Sequence, residues 1–154
     1  MLPRRHIRIK VFQSLYARAQ HTESLKFDAK KEFKKNLNGY LNIYYFIIDL
    51  MRILQEIGIE EINIKQQKLI PSEDDLSPNK RFIKNFIFSK IKEKKETSIN
   101  IEYDKLKSIV KQVFSEIKKS KTYKKYMNKS STNKEDDKKI ILHILKKYFI
   151  GNEK

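Results

Sequence analysis

Apolar residues recur along this chain at three- and four-residue steps far more often than they alternate, and that spacing predicts helices nearly end to end. The first run is Ile7, Val11, Phe12, Leu15, Tyr16 and Ala19, one apolar stripe on a helix over 1–21. Pro3 suits its first turn, since its φ is pre-set and no N–H is lost there. After the polar break His21-Thr22-Glu23-Ser24, Asp28 caps a long helix from about Ala29 into the Glu56 region. Phe33, Leu37, Tyr40, Leu41, Tyr44, Ile47, Ile48, Met51 and Leu54 line its inner face, so Tyr40, Tyr44, Tyr45 and Phe46 read as core and not as a base-stacking platform. Gly58 interrupts the pattern. Ile57, Ile59, Ile62 and Ile64 then continue it as helix, because a lone strand would have no partner, and the core helix region extends over 28–70.

Pro71 to Asn79 reads as a loop, with Pro, Ser and acids together; Asp74 and Asp75 belong to that loop or to a cap and not to acid-base chemistry. Over 80–151 further helices follow. One runs from Asn79 to about Lys95 with Phe82, Ile83, Phe86, Ile87 and Ile91 inward, ending at a charged break from Lys92 to Asn100. Another runs from Glu102 or Tyr103 to Lys119 with Leu106, Ile109, Val110, Val113, Phe114 and Ile117 inside, and Lys121 to Met127 is short. Beyond the Ser130–Asn133 linker, Asn133 caps a last helix whose first turn carries Glu135, Asp136 and Asp137, where acids suit the dipole. Ile140, Ile141, Ile144, Leu145, Tyr148 and Phe149 are buried there, and Gly151 ends it. The fold class predicted is all-α: one domain over 1–154, a compact bundle of about five to six helices with a long second helix.

Composition narrows the function. Three Gly and three Pro leave no room for a Gly-rich phosphate loop or a turn-rich β fold. With no Cys, thiol catalysis, thiolate metal sites and disulfides are excluded. His6, His21 and His143 have no metal-ligand spacing, and His143 reads as a core-edge residue. Ser and Thr stand in no triad context, so the chain reads as no enzyme, with no metal and no cofactor. The absence of a membrane-length apolar run or a secretory signal suits the cytoplasm. A net charge of +16 calls for a polyanionic partner, nucleic acid first. Compositional drift toward Lys, Ile and Asn accounts for part of that charge, and runs such as Lys118-Lys119, Lys124-Lys125 and Lys146-Lys147 read as solvated faces.

Drift does not account for the arginines. Four of the six, Arg4, Arg5, Arg8 and Arg18, stand in the first helix, which has no acidic residue, while lysine is used freely elsewhere. Guanidinium holds phosphate bidentately and stacks on bases; an ammonium is a point charge. Cations at a helix N-terminus oppose its dipole by roughly 0.3–1 kcal/mol each, a cost that a bound anion relieves. With Arg4, Arg5, Arg8 and Lys10 taken to lie mostly off the apolar stripe, one face of this helix anchors and the other binds.

Arg4-Arg5-His6-Ile7-Arg8 followed by Val11-Phe12-Gln13-Ser14-Leu15-Tyr16 resembles the N-terminal arginine-rich helix of the NusB transcription antitermination family. Leu69-Ile70-Pro71-Ser72-Glu73-Asp74-Asp75-Leu76-Ser77-Pro78-Asn79-Lys80-Arg81-Phe82 resembles an insertion of the long NusB-like proteins of Bacteroidetes. The resemblance implies a NusB-like first half without the family's C-terminal half. It also implies binding of boxA-type single-stranded RNA in ribosomal RNA transcription, with a small-subunit ribosomal protein, NusE, as partner on RNA polymerase. Carried onto this chain, the RNA-binding residues are Arg4, Arg5, His6, Arg8, Lys10, Gln13 and Tyr16. His6 departs from the pattern by replacing an arginine, which weakens the contact or makes it pH-sensitive near the His pKa of about 6.5. In the family, partner binding uses both halves. The rival expectation is a basic helical interaction or scaffold module that docks an acidic protein and has no sequence-specific RNA binding.

Overall fold

The structure, a computed structural model, describes residues 3–20, 28–70, 72–92, 102–131 and 133–151. Among these residues the chain is all-α, with no strand. Helix α1 is Arg4–Gln20, α2 Ala29–Gln66, α3 Glu73–Leu76, α4 Phe86–Lys92, α5 Tyr103–Lys119, α6 Lys121–Met127 and α7 Lys134–Ile144, continued by a π-helical segment Leu145–Ile150. They form two compact units, Met1–Phe46 and Ile47–Lys154, with the division falling inside α2.

The first unit is lightly packed. Pro3 sits just before α1, and its carbonyl accepts from the N–H groups of His6 and Ile7 at 2.9 and 3.3 Å. Asp28 caps α2 as its sequence position requires, its Oδ1 accepting from Lys30 N and Lys31 N at 2.9 and 3.1 Å. The front of α2 is less buried than its apolar spacing predicts: Leu41 and Tyr44 are exposed, Tyr40, Tyr45 and Phe46 half-buried, and full burial begins at Ile48.

The second unit holds the core. Met51, Leu54 and Ile57 of α2 are buried together with Val110, Phe114 and Ile117 of α5 and Ile140, Ile141 and Ile144 of α7. Phe82 is the hub, with ring centroids 5.2 Å from Phe88, 5.5 Å from Phe114 and 5.3 Å from Tyr123. Gly58 does not break α2, which runs through it to Gln66; a Cβ there would stand 2.9 Å from Ile83 Cγ2, so the glycine serves close packing.

Three local expectations change. The acidic loop contains helix α3, for which Ser72 and Asp75 form a reciprocal capping box; Asp75 also takes Lys68 Nζ at 2.9 Å, which, ahead of the bond from Ser72 N, lowers its pKa. The helix expected from Asn79 is a turn over 81–84 followed by α4, because Asn85 turns its side chain inward. Its Oδ1 accepts from Ile87 N at 2.8 Å, and its Nδ2 donates to Tyr126 Oη and the Asp137 carbonyl, both at 3.2 Å. Phe82, Asn85 and Phe88 are therefore the buried positions, with Phe86 and Ile87 half-exposed. Ile109 is exposed on α5, whose buried line is Val110, Phe114 and Ile117. The expected breaks at 21–24 and 93–100 lie outside the described residues.

Asp137 also departs from its expected role. It is buried, and its Oδ1 accepts from Tyr126 Oη at 2.7 Å while its Oδ2 accepts from Phe86 N at 2.9 Å, joining α4, α6 and α7. Arg81 closes the same corner. Its guanidinium lies 4.7 Å from the Tyr126 ring centroid and donates to the carbonyls of Lys129 and Ser131. Gly151 ends the chain's last helical segment with its N–H 2.8 Å from the Lys146 carbonyl, which a Cβ would approach to 2.6 Å.

Candidate nucleic-acid interface

Helical geometry decides which side chains of α1 can act together. Arg4, Arg8, Val11 and Leu15 follow one another at four-, three- and four-residue steps and so share one face, with Arg5, Phe12 and Tyr16 along its edge. The arginines therefore stand on the apolar stripe and not off it, which corrects the division into an anchoring and a binding face. The stripe is not buried either: Phe12 is 69% exposed, Leu15 55% and Tyr16 58%. Two cations would be stranded if this face were core, and the helix leaves it open.

The helix turns a different side inward. Ser14 is its buried residue, with Lys10 and Ala17 half-buried one turn to either side, and the Lys10 ammonium stands 5.5 Å from the Tyr40 ring centroid on α2. His6, Lys10 and Gln13 follow this second line of helical steps. The seven residues expected to bind RNA thus divide. Arg4, Arg5, Arg8 and Tyr16 gather on the open face, while His6, Lys10 and Gln13 lie round the helix, His6 and Gln13 exposed and Lys10 engaged with Tyr40.

What the open face offers is guanidinium beside aromatic surface. The Phe12 and Tyr16 rings lie 6.3 Å apart and inclined by 22°, a nearly parallel pair one turn from Arg8. Among the described residues none of Arg4, Arg5 and Arg8 pairs with a carboxylate. Unspent donor forks hold phosphates, and flat exposed rings take bases, which stack on them whatever their identity.

One more surface escaped the sequence reading. On α2, Lys31, Lys35, Asn38 and Asn42 follow the same four-, three- and four-residue steps, all exposed, with Lys34 beside them. Its signal in the sequence is the paired lysines before and after Phe33, overlaid by the apolar spacing of the same helix.

The second unit offers less. A cleft of about 360 Å³ between α2, α5 and α6 has Phe82 and Phe114 in its walls, and its Glu61 is held by Lys118 at 2.6 Å. Across α2 and α5, Lys107 reaches Glu56 and Glu60 at 3.2 and 2.6 Å, and Tyr103 donates to Glu56. That hydroxyl, more than Lys107, lowers the Glu56 pKa; burial first and then Glu56 raise that of Tyr103 to about 12. These ion pairs knit two helices, and Lys118, read from the sequence as solvated, is one of them. No His, Asp and Glu cluster able to hold a metal occurs among the described residues, and none of their helices is long and apolar enough to cross a membrane. No protein-family model, curated protein or solved structure matches the chain.

Proposed function

We propose that the open face of α1 binds single-stranded RNA, and that the chain acts as an RNA-binding antitermination factor of the NusB type, reading a boxA-like segment of ribosomal RNA transcripts. The observation that carries this reading is the placing of Arg4, Arg5 and Arg8 on one exposed helix face with the stacked Phe12 and Tyr16 rings. Phosphates meet the guanidinium forks, splayed bases meet the rings, and a single strand presents both within one helix length. The sequence resemblance adds the choice of RNA and the ribosomal protein NusE and RNA polymerase as the assembly served.

The test is fluorescence anisotropy with a boxA-like RNA and a base-scrambled control across salt. Three arginine–phosphate contacts give a log–log salt slope of about −2 on single-stranded RNA. Arg4→Ala/Arg5→Ala/Arg8→Ala should remove most of that slope. Phe12→Ala/Tyr16→Ala should cost about 1–3 kcal/mol per base unstacked and leave the slope in place. Exposed Val11 and Leu15 on the same face favour a second reading, a docking surface for an acidic protein. Equal, salt-erased binding of both RNAs, indifferent to the arginines, would overturn the RNA reading in its favour.

A further inference from the structure

The stripe on α2 is a surface of a different kind. Lys31, Lys35, Asn38 and Asn42 run along it with Lys34 at its side, around Gly39, where a Cβ would meet nothing within 4 Å. Ammonium groups one turn apart stand about 6 Å from one another along the helix, comparable with successive phosphates of a nucleic-acid strand. The two amides each offer donors and an acceptor, the pair of functions that a ribose 2′-hydroxyl presents in return.

Two observations describe the stripe's surroundings. In the second unit four lysines are answered by carboxylates: Lys68 by Asp75, Lys107 by Glu56 and Glu60, Lys118 by Glu61 and Lys129 by Asp136. Among the described residues Lys31, Lys34 and Lys35 have no such partner, and the one acid within α2 up to Phe46 is Glu32, half-buried and off the stripe. The stripe is also turned away from α1. Tyr40, over which Lys10 lies, is two residues from both Asn38 and Asn42 and hence on the far side of α2.

We infer that this α2 stripe is a second contact for RNA, a sequence-independent track for the sugar–phosphate backbone, engaged by RNA that continues beyond the segment held on α1. The inference rests on the reading of α1 only for where the strand comes from; the track itself follows from its own side chains. Helices with side chains are about 10–12 Å across, so a strand passing from the outer face of α1 to the outer face of α2 covers on the order of 20 Å. A short oligonucleotide reaches one face and a long one reaches both.

The experiment compares RNA of about six nucleotides, within the range one small site occupies, with RNA of about twenty carrying the same boxA-like start, over a salt series. The proteins are wild type, Lys31→Gln/Lys34→Gln/Lys35→Gln, and the Arg4, Arg5 and Arg8 triple variant, with helical circular dichroism confirming each fold. Wild type should show a slope steeper on the long RNA than on the short by about 2, the share of three single-strand phosphate contacts. The lysine variant should lose that excess and match wild type on the short RNA. Gly39→Arg, which adds a fork where there is open space, should tighten the long complex and steepen its slope by about 0.7. An unchanged slope for the lysine variant on long RNA overturns the track. Failure of the α1 reading looks different: the arginine variant and base scrambling have no effect, while the lysine-dependent slope persists.

Discussion

Two glycines of α2 make opposite predictions from one substitution. Replacing glycine by alanine inside a helix gains roughly 0.5–1 kcal/mol by restricting the unfolded chain. At Gly39 nothing lies within 4 Å of the new methyl, so Gly39→Ala should deliver that whole gain to the first unit. At Gly58 the methyl meets Ile83 Cγ2 at 2.9 Å, with Phe82 and Phe114 at 3.8 Å behind. Ile83 is poorly placed to retreat: its β-branched χ1 is stiff, and its carbonyl is held by Gln55 Nε2 at 2.8 Å. Overpacking of this kind costs about 1–3 kcal/mol, which against the helical gain leaves Gly58→Ala destabilising by about 1 kcal/mol. Native-state hydrogen exchange reads each unit separately, and urea unfolding should shift in midpoint without a change in m. In an Ile83→Ala background the obstructing Cγ2 is gone, and Gly58→Ala should turn stabilising. If Gly58→Ala stabilises the wild-type chain as Gly39→Ala does, the close approach of α2 to Ile83 is refuted.

Two further outcomes concern the buried corner around Asp137. Asp137→Ala strands the Tyr126 hydroxyl and the Phe86 N–H, at about 1–3 kcal/mol for each donor, so a loss of about 2–6 kcal/mol is expected by denaturant unfolding; a cost below about 1 kcal/mol would mean the network is dispensable. Burial first, and the bond to Asp137 second, push Tyr126 from the ordinary 10.0 up to about 12. Folding therefore favours its neutral form, a contribution complete below pH 10.0 and lost as pH rises toward about 12. Tyrosinate absorbance should show a late-ionising component, to which Tyr103 and Tyr123 also contribute, and Tyr126→Phe should lower it by one tyrosine; ionisation of Tyr126 alongside the exposed tyrosines would contradict its burial.

The helices were legible because their signals are local and redundant. Asp28, Ser120 and Asn133 cap α2, α6 and α7 through side chains acting two or three residues ahead, and α5 and α6 end where their apolar periodicity ends. The departures within the core depend on residues distant in sequence. Gly58 reads as an interruption until Ile83 is beside it, the helix expected from Asn79 runs on until Tyr126 and Asp137 receive the Asn85 amide, and Asp137 reads as a dipole-facing acid until Phe86 and Tyr126 donate to it. A polar side chain that joins three helices carries no periodicity of its own, so spacing alone cannot reveal it.

The sequence conceals the state of the α1 face for a subtler reason. Periodicity identifies which residues share a face but not whether that face is covered, and an apolar stripe is ordinarily core. Here the stripe includes Arg4 and Arg8, and a guanidinium taken into a core without a carboxylate would cost several kcal/mol. A helix built this way is stable only with the face in water or against a partner that brings its own negative charge. Leaving Phe12, Leu15 and Tyr16 in water forgoes the stabilisation of their burial, about 1.5–3 kcal/mol for a fully buried side chain of this size, so a partner should cover the rings as well as the charges. On the proposed reading a single strand of RNA would do both, its phosphates meeting the arginines and its bases lying on the rings.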